Sequence, residues 1–424
     1  CECKQTDKMH YVSANNCNKC TIIVQYCISL HKNRTMEQLF EYSNKLINEV
    51  DVNFTRYLYN DINWNNRLLG VVGPRGVGKT TMVLQYIHLN LNRSETLYVT
   101  AEDFYFANNR LLDLADKFSK LGGKNLFIDE IHKYPDWAKE LKLIYDYHSN
   151  LKVVFTGSSV LDIKKGSADL SRRSVVYHMQ GLSFREYLAL FHNIEADLFS
   201  LDQIINHQVA LPHVSHPLPL FTHYLEKGYY PFAKEDDFDI RLRQIINQTL
   251  ESDIPIYANM NVSTGRKLMQ LLSIISQSVP FKPNMSKIAE MLGVSRNNIA
   301  DYFLYIEEAG LIAQLRDNTG GIRGLGKVDK VYLDNTNLIF NLADNIQNKG
   351  NIRETFFLNQ TRVKHKVTSS TTIDFSIDEL NFEIGGRNKG QKQIQTVENG
   401  YVVKDDIENG YLNTIPLWHF GLMY

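Results

Sequence analysis

The amino-acid sequence predicts an α/β protein whose core is a parallel sheet with helices on both faces. Two observations favour this fold class. Short apolar runs of strand length recur in the N-terminal half and alternate with segments of helical apolar spacing. Glycine-rich, acidic or hydroxyl residues follow several runs, as expected where carboxyl ends of parallel strands meet to bind a ligand. The predicted strands are Leu68–Val72, Thr96–Thr100, 125–130, 151–155 and 174–178.

Length and composition favour a globular protein of several domains. The 424 residues are 43% hydrophobic and 22% charged, and a chain of this length usually forms about two to four domains. The 46 Lys and Arg residues nearly cancel the 47 Asp and Glu residues, so no overall basic field points to nucleic acid. No apolar run is long enough to predict a membrane span.

The cysteines are confined to the start of the chain. They are Cys1, Cys3, Cys17, Cys20 and Cys27. Two close thiol pairs could complete a tetrahedral zinc site. The interpretation we favour is that residues 1–35 are an upstream-translated or non-native leader, because an amphipathic helix begins at Met36. The rest of the chain has no cysteine and requires no oxidising compartment, so we expect a cytoplasmic protein.

The stretch RLLGVVGPRGVGKTTMVLQYI reads as a strand, a glycine-rich loop and a helix in succession. It matches the pattern G-x-x-x-x-G-K-[ST], whose backbone N–H groups surround a phosphate chain at a helix N-terminus. In that pattern Lys79 reaches the β- and γ-phosphates, and the Thr80 hydroxyl contacts Mg²⁺. The sequence therefore predicts ATP and Mg²⁺ as ligands. The predicted nucleotide-binding residues are Gly73, Pro74, Arg75, Gly76, Val77, Gly78, Lys79, Thr80 and Thr81.

Two carboxylates end the predicted strand 125–130. Asp129 could hold Mg²⁺ through water, and Glu130 could polarise the water that attacks the γ-phosphate. An acidic strand end could equally cap the following helix, but its position downstream of a phosphate loop favours catalysis. The next strand also ends in polar residues, among which Thr156 could sense the γ-phosphate.

Two arginines in the string ADLSRRS lie between the last two predicted strands of the sheet. Arg172 or Arg173 could meet the γ-phosphate bound by a neighbouring subunit, which would make the protein a homo-oligomer. The alternative is a pair of solvated arginines at a helix end, where arginine is favoured anyway. The sequence leaves both interpretations open.

Five strings carry a resemblance to a known family: GPRGVGKTT, LFIDEIHKYPDW, VVFTGSS, LSRR and LSFREYL. They occur in this order in bacterial and archaeal ATPases of the AAA superfamily, and the chain resembles that group over residues 36–424. In that group a C-terminal domain of unknown function follows the ATPase core. The usual GGFP-like string reads GYYP here. The resemblance implies ATP hydrolysis through Lys79, Thr80, Asp129 and Glu130, a sensor at Thr156 or Ser158, and an arginine finger at Arg172 or Arg173.

Residues 284–312 have the spacing of a helix–turn–helix motif. Ser286 and Ser295 could cap the two helices, and Gly293 could form the turn between them. The apolar runs that follow would form the wing of a winged helix. The core face of the second helix would carry Ile299, Tyr302, Phe303 and Ile306.

The second helix of this motif has two possible functions. It could enter a major groove and read bases with Arg296, Asn297 and Asn298. Acidic residues on the same helix and the net charge of −1 argue against DNA, so packing against another protein is the alternative. His213 and His216 lack a third ligand nearby in the sequence, so we expect loop histidines and no zinc site.

The string TIDFSIDELNFEIGGRNKG predicts a hairpin that carries two acidic residues. Asp374 and Glu383 would lie on adjacent strands, which resembles the core of PD-(D/E)xK nucleases, where such a pair binds a divalent metal. Gly385 replaces the lysine of that motif. At ~3.3 Å per extended residue, Lys389 is too far away unless Gly385 and Gly386 bend the chain. The sequence therefore predicts a nuclease-like scaffold that lacks its catalytic lysine and cleaves no DNA.

These observations divide the chain into four segments: a leader at 1–35, a P-loop AAA-type ATPase core at 36–190, a helical and winged-helix region at 191–335, and a small α+β nuclease-like domain at 336–424. The predicted function is hydrolysis of ATP with Mg²⁺, coupled to a C-terminal module that recognises a protein partner. One alternative is ATP-controlled binding or cleavage of DNA. Another is a nucleotide-gated switch with little turnover.

Overall fold

The computed structural model describes most of the chain from residue 35 onward. The cysteines, the candidate sensor Ser158 and the loop histidine His213 lie outside the described residues. Within those residues, no helix combines the length and apolar character that crossing a membrane needs. The described residues are 35–157, 170, 172–212, 214–258, 260–277, 280–318, 328–342, 348–370 and 372–424.

A five-stranded parallel sheet forms the centre of the first region, as the sequence predicts. Its strands run in the spatial order β2-β3-β4-β1-β5. The predicted bounds agree with the structure to within one or two residues, because buried parallel strands are nearly continuous apolar runs. The strands are β1 Leu68–Val72, β2 Thr96–Thr100, β3 Asn125–Asp129, β4 Lys152–Gly157 and β5 Val175–His178.

Helices cover both faces of this sheet. Leu69 and Val71 belong to one buried apolar cluster, and Leu68 and Val72 belong to another, since successive side chains of a strand point to opposite faces. Helix α1 begins at Met36 as predicted, where Thr35 and Gln38 form a capping box. The helices of this region are α1 Met36–Glu49, α2 Leu58–Asp61, α3 Lys79–Asn90, α4 Leu111–Lys120 and α5 Trp137–Tyr147.

A mostly helical region follows β5. Its first helix is capped by Ser183, whose hydroxyl accepts from the N–H of Glu186. His216 is exposed and lies 3.1 Å from Glu408, in agreement with the predicted loop histidine. A π-helical turn at Thr249–Asp253 interrupts the later helices. The helices are α6 Phe184–His192, α7 Leu201–Ile205, α8 Pro217–Lys227, α9 Phe238–Gln248, α10 Ile254–Tyr257 and α11 Val262–Ser276.

The predicted helix–turn–helix is present as α12 Met285–Leu292 and α13 Arg296–Glu308. Gly293 forms the turn at φ +60°, and Ser295 caps α13 by accepting from the N–H of Asn298. The predicted cap of the first helix is wrong. Asn284, not Ser286, caps α12, because the helix begins before Ser286. The apolar face of α13 is buried as expected, and an antiparallel pair of strands follows, β6 Ile312–Arg316 and β7 Val328–Leu333.

A second five-stranded sheet forms the C-terminal part, in the order β12-β11-β10-β9-β8. The predicted hairpin is present, with β9 antiparallel to β10, whereas β10, β11 and β12 are parallel. Asp374 immediately precedes β9 and is not within a strand, which corrects the predicted position. The elements are α14 Thr336–Leu342, α15 Lys349–Thr361, β8 Val367–Thr368, β9 Phe375–Ile377, β10 Leu380–Gly385, β11 Gly400–Lys404 and β12 Thr414–Pro416.

The last residues pack back onto the start of the helical region. A 3₁₀ turn at Leu417–Leu422 is buried, and Trp418 contacts Phe184 edge-on. The hydroxyl of Ser183 donates to the carbonyl oxygen of Tyr424 at 2.8 Å. These contacts place the C-terminal segment against the start of α6.

Candidate functional site

The loop between β1 and α3 has the backbone conformation that its glycines permit. Gly76 has φ +80° and Gly78 has φ +97°, which other residues rarely adopt. A side chain on Gly78 would meet no atom closer than 3.7 Å, so the face of the loop beside α3 is open. The loop therefore presents backbone N–H groups at the N-terminus of a helix, the arrangement that binds phosphate.

Lys79 begins α3 and is almost completely buried. Its ammonium donates to the carbonyl oxygens of Gly73 at 2.9 Å and Pro74 at 2.8 Å. Burial lowers the pKa of Lys79 to about 8, against the opposing charges of Glu130 and Asp129. The side chain is therefore still a cation at neutral pH, and it lies where the loop would meet a phosphate.

Asp129 is the meeting point of three hydroxyl groups. Its carboxylate accepts from Thr80 Oγ1 at 2.7 Å, from the Tyr98 hydroxyl at 2.8 Å and from Thr156. These donors come from α3, β2 and β4, so the ends of neighbouring elements converge on one carboxylate. A threonine hydroxyl and a carboxylate are oxygen donors of the kind that Mg²⁺ prefers. Thr80 and Asp129 together fit a magnesium ion.

Thr156 connects the two carboxylates that the sequence singled out. Its Oγ1 donates to Asp129 and accepts from the backbone N–H of Glu130 at 3.2 Å. Glu130 itself adopts a left-handed conformation, with φ 51° and ψ 41°, which is uncommon for a residue other than glycine. The Thr156 hydroxyl therefore fixes the backbone where Glu130 turns out of the strand.

His132 is a feature of this site that the sequence analysis missed. Its Nε2 lies 3.1 Å from Glu130 Oε2. Burial lowers the pKa of His132 to about 3, so the ring is neutral. The string IDEIHK places His132 two residues after Glu130. The strand has ended by then, so the spacing in the sequence does not show that the ring points toward Glu130.

Arg56 also contacts the phosphate loop, and no sequence motif marks it. Its Nη1 donates to the carbonyl oxygen of Val77 at 2.6 Å, and its Nε donates to Glu186 Oε1 at 2.8 Å. Its Nη2 donates to the carbonyl oxygens of Gln180 and Gly181. One buried guanidinium therefore fixes the loop relative to the N-terminus of α6.

The side chain of Arg75 contacts the helical region. Its guanidinium pairs with Asp253, Nε to Oδ2 at 2.5 Å and Nη2 to Oδ1 at 3.2 Å. Thr81, also predicted to contact nucleotide, is exposed at the start of α3. It lines a cavity of about 110 Å³ with Gly78, Phe54 and other residues beside the loop.

The two candidate finger arginines differ in their surroundings. Arg173 is paired with Asp146, Nε to Oδ1 at 2.9 Å and Nη2 to Oδ2 at 3.1 Å. Arg172 is exposed. The paired side chain is held on the surface of its own subunit, whereas the exposed side chain is accessible to another molecule.

The C-terminal sheet contains a second polar site. Asp374 and Glu383 line a cavity of about 480 Å³ together with Lys330 from β7. Lys389 Nζ lies 2.5 Å from Glu383 Oε1. The chain turns back after Gly385, which is the alternative that the sequence left open, and the expectation that no lysine lies beside Glu383 is wrong. A side chain on Gly385 would lie 2.5 Å from Lys389 Cβ, so glycine at the position of the missing lysine is what admits the lysine from position 389.

Polar and charged side chains near this cavity contact one another in sequence. Tyr332 donates to Glu354 Oε2 at 2.7 Å, and Lys330 Nζ lies 3.6 Å from Asp374 and 3.9 Å from Glu354. Burial raises the pKa of Glu354, and the charges of Asp374 and Glu383 add to the effect. In the part of the chain that the structure describes, no three acidic or histidine side chains are placed to hold a metal by themselves.

The start of α13 is open to solvent. Arg296, Asn297 and Asn298 are all exposed. Side chains that contact DNA bases or a protein partner need such exposure. Asp301 is exposed on the same helix. The arrangement is compatible with both predicted uses of this helix.

Two family models match parts of the chain. Residues 65–188 match a model described as an AAA domain, and residues 218–349 match a model described as a domain of unknown function, DUF8612. The first match contains the phosphate loop and the Asp129 cluster. With the parallel sheet, it identifies this part of the chain as an AAA-type P-loop domain, which supports binding and hydrolysis of ATP.

Curated relatives come from the archaeon Methanocaldococcus jannaschii. The uncharacterized protein MJ1637 is 26% identical over 280 residues, which are 61% of this chain and 58% of that protein. The uncharacterized protein MJ1544 is 23% identical over 347 residues, 78% of this chain and 74% of that protein. The chain therefore spans less than two thirds of the first relative.

Solved structures show a distant similarity. The Walker-type ATPase PABY2304 of Pyrococcus abyssi is 12% identical with a TM-score of 0.37, and the match covers 74% of this chain and 98% of that one. PCH-2 of C. elegans is 15% identical with a TM-score of 0.24, over 65% of this chain and 66% of that one.

The buried position of Lys79 leads to a prediction on pH. In the free protein Lys79 loses its proton as the pH rises through about 8, whereas a bound phosphate would hold the proton. ATP binding should therefore take up about one proton near pH 9 and almost none near pH 7, and affinity should fall over that interval. Calorimetry in buffers of different ionisation enthalpy measures the uptake.

The matched control is Lys79→Arg, because a guanidinium does not titrate in this interval. If this variant binds ATP, its proton uptake should be absent at both pH values. Equal uptake by the wild-type protein near pH 7 and near pH 9 would contradict the assignment to Lys79.

Proposed function

We propose that this chain binds ATP with Mg²⁺ and hydrolyses it at the site between the phosphate loop and β3. The observation that carries the proposal is the 2.7 Å contact between Thr80 Oγ1 and Asp129 Oδ2, beside the buried cation of Lys79. A hydroxyl from the helix after the loop and a carboxylate from a neighbouring strand form the ligand pair of a nucleotide-bound Mg²⁺.

In this proposal each group has a separate role. Lys79 and the loop N–H groups bind the β- and γ-phosphates, and Thr80 and Asp129 hold the ion. When bound, Mg²⁺ supplies neutralisation of the charge that develops on the phosphates. Glu130 orients the attacking water, and Thr156 keeps Glu130 in place through its backbone N–H.

The neutral ring of His132 suits a place beside such a base. The neutral ring adds no positive charge beside the Glu130 carboxylate. The cavity beside Gly78 and Thr81 would receive the rest of the nucleotide, since it opens at the start of α3 next to the loop.

Two substitutions test the site. Lys79→Ala should abolish ATP binding, because the buried cation is lost. Glu130→Gln should bind ATP and lose turnover by about 10²-fold or more. Phosphate release and binding of a fluorescent ATP analogue measure the two effects separately, and Asp136→Asn serves as a control at an exposed carboxylate six residues after Glu130. Equal turnover by Glu130→Gln and the wild-type protein would exclude the proposed base and favour a nucleotide-gated switch.

The remaining regions suggest how hydrolysis is used. We propose that residues 284–333 form a winged helix and that the exposed start of α13 recognises a protein partner. The near-zero net charge supports a protein partner over DNA. A location in the cytoplasm and the division of the chain at residues 190 and 335 stay predictions.

Assembly is proposed to complete the ATPase site through Arg172. Arg172→Ala should keep ATP affinity and lose about 10³-fold in turnover, as expected for an arginine that acts on the phosphate of a neighbour. Arg173→Ala is the matched control, because Asp146 holds Arg173 on its own subunit. Wild-type specific activity should rise with protein concentration, and a constant value together with an active Arg172→Ala variant would reject a role in trans.

A second candidate function, metal-dependent cleavage of a phosphodiester, is favoured by the position of Lys389. The nuclease-like arrangement needs two carboxylates and a lysine that orients water. Asp374 and Glu383 line one cavity, and Lys389 Nζ contacts Glu383 Oε1. Glu383 Oε2 is buried without a hydrogen-bond partner among the described residues. Two carboxylates supply too few ligands for a metal ion, so the substrate phosphate would have to complete the coordination.

Nicking of supercoiled plasmid with Mg²⁺ or Mn²⁺ tests this candidate. The sequence alone predicts no cleavage, but with Lys389 beside Glu383 this candidate function requires that the wild-type protein nick the plasmid and that both Glu383→Ala and Lys389→Ala abolish nicking. Lys392→Ala should retain it, because Lys392 is an exposed lysine in the same loop. If the wild-type protein leaves the plasmid intact at every metal concentration, the candidate is rejected and the cavity is left without a nuclease role.

A further inference from the structure

Asp253 is a buried carboxylate that the ATPase mechanism does not use. It ends the π-helical turn Thr249–Asp253 in the helical region and is only 2% exposed. A buried carboxylate requires cations or hydrogen-bond donors to remain charged. Both cations that serve it come from the first region of the chain.

These two cations are Arg75 and Lys133. Arg75 belongs to the phosphate loop and forms the two-point pair with Asp253 described above. Lys133 follows Glu130 by three residues, and its Nζ lies 3.2 Å from Asp253 Oδ1. Asp253 is thus bound by one side chain from the loop and by another from the segment after β3, the two elements that flank the γ-phosphate in the proposed complex.

Other contacts place both the helical region and the turn after α13 on the phosphate loop. A side chain on Gly76 would lie 2.6 Å from the ring of Phe232, and a side chain on Gly310 would lie 2.4 Å from Pro74 Cγ. The region therefore touches the loop residues that precede Lys79. Movement of the loop tip would change its contacts with Phe232, Gly310 and Asp253 together.

The charges around Asp253 reach the catalytic groups. Glu130 and Glu102 act on Arg75, although Asp253 is its principal partner. The charges of Lys133, Asp253, Arg75 and Lys79 all act on His132, which lies beside Glu130. A terminal phosphate bound at this place would bring further negative charge within the reach of the same cations.

We propose that Asp253 and the terminal phosphate of ATP compete for Arg75 and Lys133, so that ATP loosens the contact between the helical region and the phosphate loop. ADP, which lacks that phosphate, leaves the contact in place. The inference rests on the proposed binding of ATP. Because coupling between two sites is reciprocal, a contact that ATP weakens must itself weaken the binding of ATP.

Neutralising Asp253 tests the competition. Asp253→Asn keeps the shape of the side chain and removes its charge, so affinity for a non-hydrolysable ATP analogue should rise about fivefold or more relative to ADP. Glu251→Gln is the matched control, because it removes an exposed carboxylate from the same turn, and its ratio should equal that of the wild-type protein. An unchanged or lower ratio in Asp253→Asn would overturn the proposal, and a lower ratio would indicate that Asp253 orients the cations for phosphate.

Hydrogen exchange of the wild-type protein provides a measurement that needs no variant. The ATP analogue should raise exchange of backbone amides in residues 249–258, and ADP should not. Equal exchange with both nucleotides would overturn the proposal. Binding is measured on the same samples, so a protein that binds neither nucleotide would instead contradict the proposed function.

Discussion

The carboxylate of Asp129 is the interaction on which the rest of the site depends. It is buried at the carboxyl end of β3, and it accepts hydroxyl groups from α3, β2 and β4. A buried carboxylate that lost these donors would carry an uncompensated charge, so the donors and the acceptor hold one another in place. Asp129 consequently fixes the start of α3 and the strands β2 and β4 relative to β3. Glu130 is the next residue in the chain.

The sequence predicts this part of the structure because its signals are local. A strand, a glycine-rich loop and a helix in succession define Lys79 and Thr80, and an apolar run that ends in acidic residues defines Asp129 and Glu130. Each signal depends on near neighbours in the chain. The packing of parallel strands then brings the separate signals to one edge of the sheet.

The contacts that the sequence did not predict join distant residues. Arg75 and Asp253 are 178 positions apart, and Arg56 and Glu186 are 130 positions apart. No periodic pattern marks a residue whose partner is brought near only by folding. Lys389 is a local case of the same difficulty, because its return to Glu383 depends on the absence of a side chain at Gly385.

Two arginines join the phosphate loop to other elements, and their surroundings differ. Arg56 is buried and donates to Glu186 and to three carbonyl oxygens, so it has almost no donor left for another ligand. Removing one partner of such a buried pair typically costs about 3–5 kcal/mol.

The side chain of Arg75 is 19% exposed. Its two hydrogen bonds go to a single carboxylate, which Lys133 also contacts. A phosphate could replace that carboxylate without leaving the guanidinium unpaired, and no such replacement is available to Arg56. In the proposed competition, Arg56 keeps its contact with the loop, whereas Arg75 exchanges Asp253 for the terminal phosphate. The loop would then stay fixed at Val77 to the start of α6 while its contact with Asp253 changes.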